Sequence, residues 1–250
     1  MKKTFIFFVL SSISSLIFSQ DLILKLEDGH KKGKIIEKDG TEKFGILALA
    51  GSLSDDPWNI QHTVYFLTEE KYKELSLKGR VKTSKMEEYT PSKIKGFYYE
   101  NTHYESLKYS DVSSLSLSMI PKSYFMEKIK EGKMSVYKFY VHPGDFSFTT
   151  NEQQALERKA FLEECRTKPQ IVVKKGDDKA KNIQDTGIEK VISDCEVVLK
   201  KYHSAQYGLD PKNTEGKKGV SKLLNKLADY ENRSSAILII ADDYNKECNN

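Results

Sequence analysis

Three cysteines, five histidines and 36 acidic residues are the groups in this 250-residue sequence with the chemistry to bind metal or break bonds. His30, His62, His103, His142 and His203 show no HxH, HxxH or HExxH spacing, so no metal-protease site is signalled. His30, His62 and His103 all fall in the N-terminal half, where only the fold could gather them. No Gly-x-Ser-x-Gly elbow, phosphate-cradling glycine loop or GxGxxG turn is present. Asp177-Asp178 and Asp242-Asp243-Tyr244-Asn245 supply oxygens, without the spaced ligands and glycine of a calcium loop. Paired carboxylates for glycoside hydrolysis could likewise be brought together only by the fold. The expectation is no metal, no cofactor and no local catalytic motif.

Cys165, Cys195 and Cys248 form an odd set. Cys195 and Cys248 both sit in candidate helices near the C-terminus and are the expected disulfide, although Cys165 could take either partner. Closing a loop of that length is worth about 4 kcal/mol by chain entropy.

Aromatic residues make up 11% of the chain and concentrate in its first 140 residues. In Gly96-Phe97-Tyr98-Tyr99, strand alternation puts Phe97 and Tyr99 on one face and Tyr98 on the other. Phe97, Tyr98, Tyr99 and Tyr104 form the candidate aromatic surface, able to stack on sugar rings or meet a partner. The plainer reading is that aromatics suit strands and cover a thin core. Lysine-rich stretches such as Lys31-Lys32-Gly33-Lys34 alternate with acids, and the net charge is only +4, which argues against nucleic acid as a partner.

These residues must be positioned by elements legible in the pattern. Met1-Lys2-Lys3, the apolar run from Phe5 to Leu10 and a small residue at Ser19 make a secretory signal over residues 1–19. Serines 11, 12, 14 and 15 break that stretch before it could span a bilayer, and no later run could do so. The mature chain is expected to be exported, periplasmic or secreted, without an integral span. Residues 20–150 read as an antiparallel β-rich module: DG turns at Asp28-Gly29 and Asp39-Gly40 flank β-formers. Further strand signals lie at Thr63–Leu67, Glu88–Thr90, Gly96–Tyr99, Tyr104–Tyr109, Val112–Met119 and Phe146–Phe148, with a hairpin turning at Glu131-Gly132. A short surface helix is expected near Glu70–Leu77.

Residues 151–250 read as mainly helical and packed on that module: a helix over Glu152–Cys165, a strand at Gln170–Lys174, then an amphipathic helix from Thr186 as N-cap to about Tyr202. Two more helical faces follow, at Val220–Ala228 and from Ile237, where Ile237–Ile240 could also be a strand. The fold class is α+β.

Several of these pieces together resemble an uncharacterised exported protein family of Bacteroidetes. The resemblance is carried by Asp28-Gly29 with Gly33-Lys34-Ile35, and by Tyr89-Thr90-Pro91-Ser92-Lys93-Ile94-Lys95-Gly96-Phe97. It continues through Phe125, Ile129, Glu131-Gly132 and Tyr137, then Asp194-Cys195 and Tyr244-Asn245-Lys246-Glu247-Cys248. It implies export, a β-then-helical layout and the Cys195–Cys248 pair, but no activity. The functional expectation is a non-enzymatic cell-envelope protein with a structural role or a role binding an envelope partner or glycan. The alternative is an extracytoplasmic hydrolase whose site only the fold assembles.

Overall fold

A computed structural model describes residues 24–49, 56–110, 120–143, 151–209 and 220–248, without the side chains of 220–229. The expected signal segment, the strands at Val112–Met119 and Phe146–Phe148, and the side chains of Val220–Ala228 lie outside what is described.

One ten-stranded sheet organises the chain, every neighbouring pair antiparallel, in the order Lys181–Asn182 (β10), Gln170–Lys175 (β9), Met134–Phe139 (β8), Lys122–Lys130 (β7), Thr102–Tyr109 (β6), Ile94–Tyr99 (β5), His30–Glu37 (β1), Glu42–Leu49 (β2), Val64–Thr68 (β3) and Glu87–Tyr89 (β4). β1 (His30–Glu37) and β2 (Glu42–Leu49) form a hairpin at Asp39-Gly40, where Gly40 takes a φ of +96°. A one-turn helix α1 (Pro57–Ile60) leads into β3 (Val64–Thr68). α2 (Glu69–Ser76) follows directly, its N-terminus capped by the Thr68 hydroxyl, with acids in its first turn that suit the helix dipole. β4 (Glu87–Tyr89), β5 (Ile94–Tyr99), β6 (Thr102–Tyr109), β7 (Lys122–Lys130) and β8 (Met134–Phe139) complete the first part.

The sheet cannot be flat. β4 lies four strand gaps from β5, about 19 Å in a flat sheet. Five residue steps join Tyr89 to Ile94 and reach at most about 18 Å when straight. They are not straight, because the Lys93 N–H closes a turn on the Thr90 carbonyl. The strands therefore coil until β4 approaches β5. Gly33 and Gly45, directly paired across β1 and β2, make the bend possible. A methyl group at Gly45 would collide with the Leu67 carbonyl, and one at Gly33 with the Tyr98 carbonyl. Gln61 closes the coil on its far side: its backbone carbonyl accepts from Phe125 N–H at 2.9 Å, and its buried side chain exchanges two hydrogen bonds with the Tyr140 backbone, at 2.6 and 2.7 Å.

The concave face holds Ile35, Leu47, Phe66, Phe97 and Phe125 in one cluster. On the same face farther along, Met134, Val136, Ile171 and Val173 pack under the C-terminal helices. The convex face is buried at its two ends: around Tyr72 beneath α2, and around Leu107, Met126, Tyr137 and Phe139. Its middle is open.

The C-terminal region begins with α3 (Glu152–Thr167), capped by Asn151, of which only Cys165 is buried among its described residues. β9 (Gln170–Lys175) and β10 (Lys181–Asn182) then extend the same sheet. The amphipathic stretch expected as one helix from Thr186 is three: α4 (Ile183–Thr186), α5 (Ile188–Ile192) and α6 (Glu196–His203). Gly187, at φ +79°, breaks the first join and takes the capping place assigned to Thr186. Beyond Ser193, Cys195 becomes the N-cap residue of α6. The two last helical faces belong to one helix, α7 (Val220–Glu247), and Ile237–Ile240 is helical. Buried Ala236, Ile237, Ile240, Ala241 and Tyr244 recur at helical spacing and pack on α5, α6 and β8.

Candidate functional site

Antiparallel register places directly opposed residues on one face. On the convex face it lines up Phe44, Lys34, Tyr98, His103, Lys128 and Tyr137 across β2, β1, β5, β6, β7 and β8. The row crosses five strand gaps, about 24 Å. It sets two lysines among four rings. Lys34 Nζ lies 5.6 Å from the Phe44 centroid and 4.4 Å from that of Tyr98. Tyr98 stacks on His103 at 4.3 Å with the planes 6° apart. Lys128 Nζ stands 5.9 Å from the centroid of Tyr137.

At the Tyr137 end the row opens into a concavity of about 340 Å³. Glu105, Lys128, Glu131, Ser135, Tyr137 and Lys174 line it, with the backbone of Gly132 and Gly176. Lys128 pairs with Glu105 at 2.6 Å and reaches Glu131 at 3.5 Å, while the Tyr137 hydroxyl donates to Glu105 Oε2 at 3.0 Å. Burial is the largest single influence on Lys128 and opposes its charge, but the bonds and charges of Glu105 and Glu131 together outweigh it and hold the ammonium pKa above its ordinary value. Burial, then the nearby Glu105 carboxylate, pushes the Tyr137 phenol up, so it stays protonated and donates. Burial and the Lys128 charge lower His103, which keeps its imidazole neutral near pH 7.

The β7–β8 hairpin forms one wall of the concavity, and α7 holds that hairpin. Asn245 Oδ1 accepts from Met134 N–H at 2.7 Å, and its amide donates to the Glu131 and Met134 carbonyls at 3.3 and 3.0 Å. Lys133 Nζ reaches the Cys248 carbonyl at 2.5 Å, and Tyr244 donates to Asp194, which pairs with Lys175 of β9. Cys195 and Cys248 are joined as a disulfide, which ties the end of α7 to the start of α6. Cys165 is free and buried; burial, then Glu164, pushes its thiol pKa up and leaves it unreactive.

The four residues read as an aromatic surface do not form one. Phe97 is wholly buried on the concave face, edge-on to Phe125, with the half-buried Tyr104 ring stacked against it at 4.7 Å. Tyr99 shares that face, half-buried, its hydroxyl 3.4 Å from the Gly29 carbonyl. Only Tyr98 stands on the convex face, and both sides of its ring are occupied, by Lys34 and His103. Phe97 is enclosed and Tyr98 is covered by Lys34 and His103, so neither offers an open ring face to a sugar. The coil is the reason: it turns the Phe97 face inward as core.

The histidines go to separate partners. His30 Nδ1 and the Tyr72 hydroxyl are 2.9 Å apart in the core, His62 lies edge-on to Tyr124, His142 to Trp58, and His203 bonds Glu189 at 3.1 Å. Among the described residues no three of His, Cys, Asp and Glu group so as to hold a metal ion, and no helix is long and apolar enough to cross a membrane. In the sequence Lys34 stands out only as part of a lysine-rich stretch and Glu131 only as a turn residue, while Glu105 and Lys128 carry no signal at all; the β1–β5, β5–β6 and β6–β7 registers bring them onto one face. No protein-family profile, curated protein or solved structure matches the chain.

Proposed function

We propose that the protein is an exported, non-enzymatic component of the cell envelope, and that a sugar unit of a glycan occupies the concavity between Glu105, Lys128 and Tyr137. The observation that carries this reading is the lining of that concavity: two carboxylates, two ammonium groups and two hydroxyls around about 340 Å³. Opposite charges balance there, so a neutral ligand rich in vicinal hydroxyls finds donors and acceptors at every edge without a charge to neutralise. With Tyr98 covered by Lys34 and His103, binding rests on hydrogen bonds, and a single sugar binds weakly. The disulfide supports export, because such bonds persist outside the reducing cytosol. The short sheet edges, three residues in β4 and two in β10, argue against a partner strand as the main ligand.

The test is an array of neutral and charged oligosaccharides, followed by calorimetry on those retained. Glu105→Gln combined with Lys128→Met removes the ion pair without stranding either charge in a half-buried place. A neutral oligosaccharide should bind the wild type and lose at least tenfold in affinity with the double variant. Retention of none, or equal binding by both proteins, refutes the sugar site. Release of reducing ends that Glu105→Gln and Glu131→Gln abolish would show a hydrolase instead.

A further inference from the structure

A second cavity of about 340 Å³ lies at the opposite ends of β6 and β7, against β10 and α4. Its apolar part comes from the buried Tyr109 ring, Pro121 and Ala180. Lys108, Lys179 and Lys181 surround it, and none of them forms an ion pair with another described residue. Among the described residues of the lining Asp185 is the one acid, set against three ammonium groups.

Asn182 adds a separate observation. It lines the cavity at 7% exposure and uses its Oδ1 to cap α4 by accepting from Gln184 N–H at 2.8 Å. Its amide nitrogen has no hydrogen-bond partner among the described residues. That nitrogen is not among the enclosed unpartnered atoms, so it reaches solvent and is free to donate to a ligand. An apolar floor, a surplus of cations and an open N–H donor together specify a ligand with an apolar body and an anionic, hydrogen-bond-accepting head.

We propose that this cavity binds a small soluble organic anion, an aromatic or aliphatic carboxylate, sulfonate or phosphate, at a site separate from the sugar concavity. The apolar body rests on Tyr109 and Ala180, and the head takes the Asn182 amide and the lysines. The long lysine side chains bring field and not fixed geometry, so the attraction weakens as salt rises.

Titration with anilinonaphthalene sulfonate, read by fluorescence, tests this on the full mature chain, with neutral phenylnaphthylamine as the uncharged comparison. The sulfonate should bind at least tenfold more tightly than the neutral probe, and tenfold more salt should weaken it. Lys108→Gln/Lys179→Gln/Lys181→Gln should cost at least tenfold for the sulfonate, whereas Lys71→Gln/Lys85→Gln/Lys190→Gln should cost none. Ala180→Leu fills the cavity without touching charge and should abolish binding of both probes. Equal binding of both probes, equal loss in both lysine triples, or unchanged binding in Ala180→Leu overturns the proposal. So does capture of the chain by phosphatidylglycerol vesicles with no binding of the free sulfonate.

Discussion

Removing the Cys195–Cys248 bond should loosen the β7–β8 hairpin well before it unfolds the sheet. The bond closes a loop across 53 residues, which chain entropy values at about 4 kcal/mol, a large part of a typical domain stability of about 5–15 kcal/mol. Cys195 is buried, so Cys195→Ala/Cys248→Ala is the cleaner variant; serine would place an unpaired hydroxyl in the core. The local consequence follows from Asn245, three residues before Cys248. Its three hydrogen bonds to Glu131 and Met134, at about 1 kcal/mol each, are made by the last turn of α7, which the disulfide holds down. Without the bond that turn frays, and the Met134 amide loses its acceptor. Urea unfolding should show a loss of about 3–4 kcal/mol. Native-state hydrogen exchange should show the Met134 amide exchanging through local opening, faster than core amides of β2 such as Ile46. Asn245→Ala in the oxidised protein should reproduce the Met134 effect at a smaller global cost, about 2–3 kcal/mol. A loss under 1 kcal/mol, or Met134 exchanging in step with Ile46 in the alanine pair, refutes the clamp.

Other perturbations test the coil and the buried polar groups. Gln61→Leu keeps bulk but breaks both bonds to the Tyr140 backbone, and should cost about 2–4 kcal/mol in chemical denaturation. Gly45→Ala forces β2 off the Leu67 carbonyl and should destabilise by more than the roughly 1 kcal/mol of an ordinary strand glycine change; a neutral result would mean the bend lies elsewhere. Glu100, at φ +53° in the β5–β6 turn, should gain about 1 kcal/mol as glycine, less the small surface pair with Lys31, read as a rise of a few degrees in Tm. Burial lowers the pKa of His30, His62 and His103 from 6.5, so below that pH the unfolded chain binds protons the folded chain resists. Stability should therefore be full above pH 7 and fall as pH drops through 6.5 toward the lowered values, and His103→Gln should flatten part of that slope.

Much of the β layout was legible because the local signals were strong: DG turns, a Glu-Gly hairpin and period-two aromatics place β2, β5, β7 and β8 within a residue or two and β1 within three. The helical region was less so. Ile188 to Leu199 carries a continuous apolar period; Gly187's positive φ sets its start apart from α4, and Ser193-Asp194 divides it into α5 and α6. α7 hides the opposite way, its two apolar faces reading as separate helices. The coil was not legible at all. It depends on a four-residue link between β4 and β5 and on Gln61, whose importance comes from a strand 64 positions later.

The same dependence explains the candidate site. Each member of the row from Phe44 to Tyr137 is ordinary in its own strand; its meaning comes from five registers acting together. Alternation correctly separated Tyr98 from Phe97 and Tyr99, yet it could not tell which face becomes interior, since both carry aromatics. The choice follows from the paired glycines at 33 and 45, which sit on the Phe97 face. Removing two side chains from one face of a sheet lets it close toward that face, so the larger aromatic set becomes core and the lysine-bearing set is left facing water. Reversing the bias should therefore be more damaging than losing a single ring. Phe97→Ala leaves a cavity worth about 3–5 kcal/mol in an otherwise intact coil. Gly33→Val with Gly45→Val fills the concave side of the bend itself, and should flatten β1 and β2 away from β5. The array of cations and rings would then come apart with the stacking of Tyr98 on His103, visible as loss of the upfield ring-current shifts that a 4.3 Å stack imposes on the His103 protons.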